Sequence, residues 1–502
     1  MGTLHESPEW RKIPRAELDA LRSFIENQEW REITFVKWLD GGYSGSPVAL
    51  IDDKLSGRSS KERILKFCSQ GQSEVQGIDR AYELAPDAFK ARHLVRKHRD
   101  FPLQDWRGML MEIAGGDLSS PSLDEYVTDE RLPEICATLI ESLLADWNEG
   151  DRELKAELNT GQFLRQVVGP QKIEPDGSLH SFASRSGIDW DALWVERAGW
   201  DRPLRNPFGM LAEGYGEKLS AVVGIGHGDL SVFNVLIPVQ LPGFQDIQPA
   251  QYWLIDYGAS SSEYPLTRDP MYLLLSLATR HLKRIRTSSE FGRSLIKLLA
   301  FSRDSVDSFD IAGYKRVFDG TVKTGYEWAR SKERGHHWFP QSQLSVIGCA
   351  LTFIGRRIDS LEIAETDDWL FDLAAVAATE YCSKYEKESI PSPLRLPPPR
   401  PPVTDPQARP GSVSALIEQL DRAAFSQEHW TQLELGTRDL REMLSETYEL
   451  KGDSAGRIRG LIAELRRVLS GATKSVAPPA QVATAARRAE DLRERLLTLL
   501  RS

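Results

Sequence analysis

Hydrophobic and polar positions change character along this chain. In the first third, apolar residues fall in short runs with strand character: Ile33-Thr34-Phe35-Val36, Val48-Ala49-Leu50-Ile51 and Ile64-Leu65-Lys66-Phe67. From Ser23 the chain reads as helix before turning into the first of these strands. Gly41-Gly42-Tyr43-Ser44-Gly45-Ser46 separates the first two runs, and a charged stretch from Asp52 to Lys61 separates the next two. Helical spacing follows from Glu74 to Leu84 and stops at Pro86, and another strand-like run, Met109 to Ile113, ends at Gly115-Gly116. Beyond it the spacing is mainly helical: Pro133 to Trp147, Met271 to Ile285, Ser289 to Phe301, Ser342 to Ile358 and Trp369 to Tyr381. Asp151 to Pro207 fits neither period and reads as an insertion of helices and loops.

A proline-rich run from Ile390 to Gly411 is the clearest break. Prolines remove backbone donors and disfavour helix, so this run is expected to be an extended, semi-rigid linker. A charged helical segment, 412–471, follows it. Residues 472–502 then comprise a short Ala/Pro linker and a final amphipathic helix with Leu492, Leu496, Leu497, Leu499 and Leu500 among charges.

A length of 502 residues exceeds one core and implies two or three domains. With 41% hydrophobic and 27% charged residues the chain reads as folded and soluble, and its net charge of −10 argues against a general nucleic-acid binder. Four scattered cysteines form no metal or redox pair. A polar N-terminus without a signal core and the lack of a long apolar span lead us to expect a cytoplasmic protein without membrane contact.

Candidate chemistry gathers in two short segments, His227-Gly228-Asp229-Leu230-Ser231-Val232-Phe233-Asn234-Val235-Leu236 and Leu254-Ile255-Asp256-Tyr257-Gly258. A carboxylate, an amide and a second carboxylate on apolar runs suit phosphoryl transfer. Asp229 would accept the proton of an attacking hydroxyl, while Asn234 and Asp256 offer the hard oxygens that magnesium demands. Alone, Asp229 after Gly228 would be only a turn residue. Lys66 lies in an apolar strand, where an inward ammonium needs an anionic partner; on an edge strand it would face water instead. Glu74 and Glu83, on the next helix, compete for it.

The order H-G-D-L-x-x-x-N, then hydrophobic-hydrophobic-D-Y-G, resembles the catalytic and metal loops of the aminoglycoside phosphotransferase branch of the protein-kinase-like superfamily. The resemblance covers about Phe35 to Tyr385. It implies an α+β, two-lobed protein-kinase-like fold with a small antiparallel-sheet N-lobe (31–115) and a helical C-lobe (116–389), preceded by a helical extension (1–30). ATP and Mg²⁺ would be the cofactors, Asp229 the catalytic residue, and Asn234 and Asp256 the metal ligands. The resemblance favours Glu74 as the partner of Lys66. It makes Gly41, Gly42, Ser44 and Gly45 the nucleotide-covering turn and puts Glu112 and Ile113 at the adenine hinge. It also gives His227 and Asp269 structural roles. Phe233 is bulkier than the residues usual at its place, which narrows the acceptor side.

Past the linker (390–411), the string Gly452-Asp453-Ser454-Ala455-Gly456-Arg457-Ile458-Arg459-Gly460-Leu461-Ile462, with its spaced apolar residues, resembles the effector-associated domains of bacterial conflict systems. That implies an all-α adaptor that recruits a protein partner through 412–502. The combined expectation is an ATP- and magnesium-dependent phosphotransferase with an unidentified hydroxyl acceptor. The alternative is an inactive kinase-like scaffold.

Overall fold

The computed structural model describes residues 3–4, 10, 12–27, 31–39, 46–55, 59–68, 72–116, 120–149, 155–238, 248–302, 311–356, 363–386, 455–472 and 479–501. The chain divides into two compact units, Met1–Leu394 and Arg395–Ser502. The glycine-rich turn with Gly41, Gly42, Ser44 and Gly45, the linker 390–411 and the segment 412–454 lie outside the described residues. The fold is mixed α+β: an N-terminal, largely antiparallel sheet followed by many helices.

The sheet contains β1 (Thr3–Leu4), β2 (Arg31–Trp38), β3 (Val48–Leu55), β4 (Lys61–Cys68), β5 (Lys97–Pro102) and β6 (Arg107–Met111), in the order β1-β2-β3-β4-β6-β5. Two expectations are corrected at its start. The extension 1–30 is not wholly helical, because Thr3–Leu4 join the sheet, and the sheet is not wholly antiparallel, because β1 runs parallel to β2. The cause is topological: α1 (Arg15–Glu26) carries the chain across between the two strands, and a helical crossover returns it in the same direction.

Side chains alternate across β4. Leu65 and Phe67 enter a core on one face with Trp10, Leu21, Ile25, Ile33 and Phe35. Lys66 and Cys68 therefore point to the opposite face, where Cys68 joins the main core with Met109 and Met111. Glu17 of α1 is buried, and its carboxylate accepts the Gln104 and Asp105 amides at 3.0 and 2.9 Å, which satisfies the charge. The connection from β4 to β5 is α2 (Gln72–Leu84) and α3 (Asp87–His93).

The rest of the first unit is built on helices, beginning with α4 (Leu132–Ala145). Next, β7 (Ala156–Asn159), α5 (Thr160–Val168), α6 (Pro170–Ile173), α7 (Ser178–Arg185), β8 (Trp194–Val195) and β9 (Leu204–Arg205) fill the stretch that lacked a clear period. Arginine–aspartate pairs tie this stretch down: Arg185 reaches Asp367 at 2.9 Å and Arg197 reaches Asp372 at 2.5 Å. β10 (Lys218–Ala221) pairs with β7, β11 (Val223–Gly226) with β14 (Ser261–Pro265), and β12 (Val235–Leu236) with β13 (Trp253–Leu254). The helices α8 (Arg268–Thr279), α9 (Leu282–Thr287), α10 (Ser289–Leu299), α11 (Ala312–Ser331), α12 (Gly335–Phe353) and α13 (Ile363–Tyr381) complete the unit. One continuous helix over 271–285 was expected. The chain breaks instead at Arg280–His281, where both amides bond back three residues, to Leu277 and Ala278, and the Arg280 side chain turns to Asp124 at 2.6 Å.

In the second unit, α14 (Ala455–Ala472) and α15 (Pro479–Arg501) pack on each other through Ile458, Leu461 and Leu465 against Ala489, Leu492 and Leu496. Arg488 and Glu464 bridge the pair at 2.6 Å. Among the described residues no helix is long and apolar enough to cross a membrane.

Candidate active site

Lys66 is nearly buried, with 8% of its side chain exposed, on the inner face of β4. Its ammonium lies 2.6 Å from Glu74 Oε1 in the first turn of α2 and 2.5 Å from Asp256 Oδ1. Burial pulls that ammonium down, but the Asp256 and Glu74 carboxylates outweigh it and raise it above its ordinary value. Glu74 is thus the residue that reaches Lys66, whereas Glu83 is exposed. Two glycines make this contact geometrically feasible. A Cβ on Gly77 would stand 1.8 Å from Gly258 O, and one on Gly258 would stand 2.7 Å from Glu74 Cγ, so α2 and the Asp256-Tyr257-Gly258 loop touch backbone to backbone. Asp256 is itself in the left-handed region (φ 60°, ψ 37°), a conformation that costs a non-glycine residue energy and is held here by its surroundings.

Asn234 and Asp256 arrive together because β12 and β13 pair, Val235 opposite Leu254, and the Ile255 amide then donates to Asn234 O at 3.0 Å. Both residues line a cavity of about 440 Å³ with Lys66, Phe233, Glu112 and Ile113. The Glu112 amide donates to Arg96 O at 2.9 Å, so it is already committed within the protein.

The His227–Asp229 turn is braced from below. Asp269, at the start of α8, accepts the His227 amide at 2.5 Å and the Gly228 amide at 3.1 Å. His227 Nδ1 accepts the Asp229 amide at 3.2 Å, so Nε2 carries the proton and donates it to Ile255 O at 3.0 Å. Gly228 has φ +83° and sits against the Ala259 carbonyl, 2.3 Å from where a Cβ would be; no other residue fits. The Asn234 amide nitrogen donates to Asp229 O at 2.8 Å and closes the loop on itself.

Sequence reasoning missed two neighbours of Asp229. Its Oδ1 accepts from Arg356 Nη1 at 3.1 Å and from the Tyr272 hydroxyl, and Arg356 also donates to that hydroxyl. Burial alone would raise the Asp229 carboxyl, but Arg356 and then Tyr272 hold it below its ordinary value. Tyr272 sits in the apolar run Met271–Leu275 and looks like core. Arg356 is 127 positions away, and no spacing rule links it to Asp229.

Among the described residues no cluster of three or more His, Cys, Asp or Glu is arranged to hold a metal. The four cysteines are buried and free.

No family model matches this chain, and no curated protein matches it. Among solved structures, the crystal structure of aminoglycoside-3'-phosphotransferase of type VIII aligns over 61% of this chain and 100% of its own length. Its identity is 18% and its TM-score 0.31, values that carry no argument about fold or activity.

Proposed function

We propose that this protein is an ATP- and magnesium-dependent phosphotransferase with a two-lobed kinase-like first unit. The observation that carries the reading is the meeting of Lys66, Asn234 and Asp256 at one cavity, with Glu74 paired to Lys66 and Asp229 joined to it through Asn234. The cavity volume falls in the range of about 300–1,000 Å³ common to small-molecule sites. Its apolar walls suit a base, and its polar end carries the ammonium and the hard oxygens.

The donor set fits magnesium. The Asn234 nitrogen is committed to Asp229, which leaves its oxygen for a cation, and Asp256 adds a carboxylate on the same cavity. Magnesium keeps several waters and takes one or two protein oxygens beside substrate phosphates, so a pair of ligands suffices. When bound, it neutralises charge on the phosphates. Lys66 would hold a phosphate oxygen, with Glu74 fixing its ammonium. Asp229 would orient the acceptor hydroxyl and take its proton. With its amide committed, Glu112 cannot donate that amide to a base, and the hinge donor in this reading is the Ile113 amide. The second unit would recruit a protein partner through 412–502.

A second reading, a nucleotide-binding scaffold without turnover, is favoured by one observation: Arg356 and Tyr272 occupy one oxygen of the carboxylate that would accept the proton. Asp229→Asn separates the two. Calorimetry should give equal magnesium-ATP affinity for variant and wild type, while hydrolysis or transfer falls by about 10²-fold or more. Wild-type turnover no higher than the variant's establishes the scaffold. Magnesium-independent ATP binding ends both readings.

A further inference from the structure

We propose that the acceptor is a small hydroxyl compound bearing an acid group, and that this group draws Arg356 off Asp229. The inference rests on the phosphotransferase reading and names its substrate class.

Asp229 Oδ1 is bridged by Arg356 and Tyr272, while among the described residues Oδ2 meets the Asn234 amide nitrogen at 3.4 Å. A guanidinium held on Oδ1 keeps the carboxyl below its ordinary value and weakens it as a base at either oxygen, so a group that competes for Arg356 strengthens that base. A neutral acceptor offers nothing of comparable strength, and an amine-rich acceptor would be repelled. A phosphate or carboxylate on the acceptor offers the planar, two-pronged partner that arginine prefers.

The surroundings favour an anion independently of that contact. Arg268 is buried and, among the described residues, donates only to carbonyls, Val167 O at 3.0 Å and Gly228 O, with Tyr264 and Tyr272 rings 4.9 Å from its guanidinium carbon. Lys172 donates to Ile354 O at 2.9 Å and Ser178 Oγ at 3.3 Å, and it forms no ion pair among the described residues. Burial first, then the charge of Arg356, pushes its amine down to about 8. The one carboxylate that favours its charge, Asp367, is committed to Arg185 and to the Gly355 amide. Arg356 thus has two cations beside it, Arg268 and Lys172, while the carboxylates are divided: Asp229 on Arg356 and Asp269 near Arg268.

Arg356 is placed to move. It follows Gly355, whose φ of +77° turns the chain just past the end of α12, and 26% of its side chain is exposed. Its guanidinium rests on the Phe353 and Tyr272 rings, 5.2 and 5.5 Å from the centroids, so it can slide along an aromatic floor. With Arg356 on the acid group, the acceptor O–H gives its proton to Asp229. The acceptor oxygen then bonds to the γ-phosphorus as the bond from that phosphorus to the β–γ bridging oxygen breaks, releasing ADP.

The test uses the full chain, magnesium, radiolabelled ATP and matched acceptors: glycerophosphate against glycerol and against the amine serinol, and ribose phosphate against ribose. Binding of glycerophosphate alone is followed by calorimetry, and Asp229→Asn sets the background. The acidic member of each set is expected to be preferred by about tenfold or more in kcat/KM, as a charge-assisted hydrogen bond supplies. Arg356→Gln should erase the preference and Arg356→Lys keep part of it; should the glutamine variant fail to fold, the lysine variant carries the comparison. Preference for neutral or amine acceptors, or a preference that survives Arg356→Gln, overturns the proposal. Arg356-dependent binding of glycerophosphate without Asp229-dependent turnover leaves the anion site standing and ends the phosphotransferase reading. Neither binding nor turnover ends both.

Discussion

Replacing Gly77 by alanine gives opposite signs for two effects, and the structure decides between them. In a helix interior, glycine to alanine ordinarily stabilises by about 1 kcal/mol. At Gly77 the new methyl would stand 1.8 Å from Gly258 O, whereas ordinary contact begins near 3.4 Å, so α2 and the loop must part by roughly 1.6 Å. The obstacle is backbone and cannot swing aside. Overpacking of this kind costs about 1–3 kcal/mol, which outweighs the gain, and Gly77→Ala should lower stability by up to about 2 kcal/mol. The same displacement moves Glu74 and Asp256, which flank Lys66 at 2.6 and 2.5 Å, beyond hydrogen-bonding reach of it. Magnesium-ATP affinity should therefore fall by about tenfold or more. Gly320→Ala in α11 is the control, because its methyl would meet only Pro133 O at 3.7 Å. Chemical unfolding and calorimetry on both variants give the answer. A Gly77→Ala protein that is more stable than wild type and binds nucleotide normally would refute the backbone-to-backbone contact and its link to Lys66.

Three further outcomes are expected. Asp229 has its carboxyl depressed, so its contribution is present above the unfolded value near ~3.9 and is lost as pH falls through the folded value. The destabilisation caused by Arg356→Gln, about 1 kcal/mol at neutral pH for this partly buried pair, should therefore shrink below about pH 4 in urea titrations, and a constant gap would count against it. Asp269→Asn retains one acceptor for two buried amides, so it should cost about 1–3 kcal/mol in unfolding experiments and abolish turnover; unchanged stability would deny the bracing role. Leu465→Ala in α14 removes a fully buried side chain and should cost a 395–502 fragment about 2–5 kcal/mol by circular dichroism, leaving magnesium-ATP affinity of the full chain unchanged.

What could be read in advance follows from how local each signal is. β2, β3, β4 and α2 announce themselves through apolar periodicity and through Pro86. β5, with its Lys-His-Arg-Asp core, has no apolar alternation; pairing with β6 makes it a strand. α11 was missed because Gly320, Thr321 and Gly325 interrupt its apolar stripe, although Val317, Phe318 and Trp328 bury one face. The Asp229–Asn234 and Asp256 segments were legible because backbone pairing of β12 and β13 joins residues only about 20 apart. Arg356 was illegible because its contact with Asp229 exists only after α8 and α12 pack. Glu74 and Glu83 sit on one short helix, and only the packing of α2 against Gly258 separates them.

The sheet also bears on how this protein behaves at high concentration. Its two margins are β1, only two residues long, and β5, which carries Lys97 and Arg99 and closes on Pro102. A long row of unpaired amides invites another molecule to add a strand; short length, charge and proline discourage it. Thr3–Leu4 therefore cover Glu32 and Ile33 of the eight-residue β2, and trimming the first few residues for convenience of expression would lengthen the open margin and favour self-association.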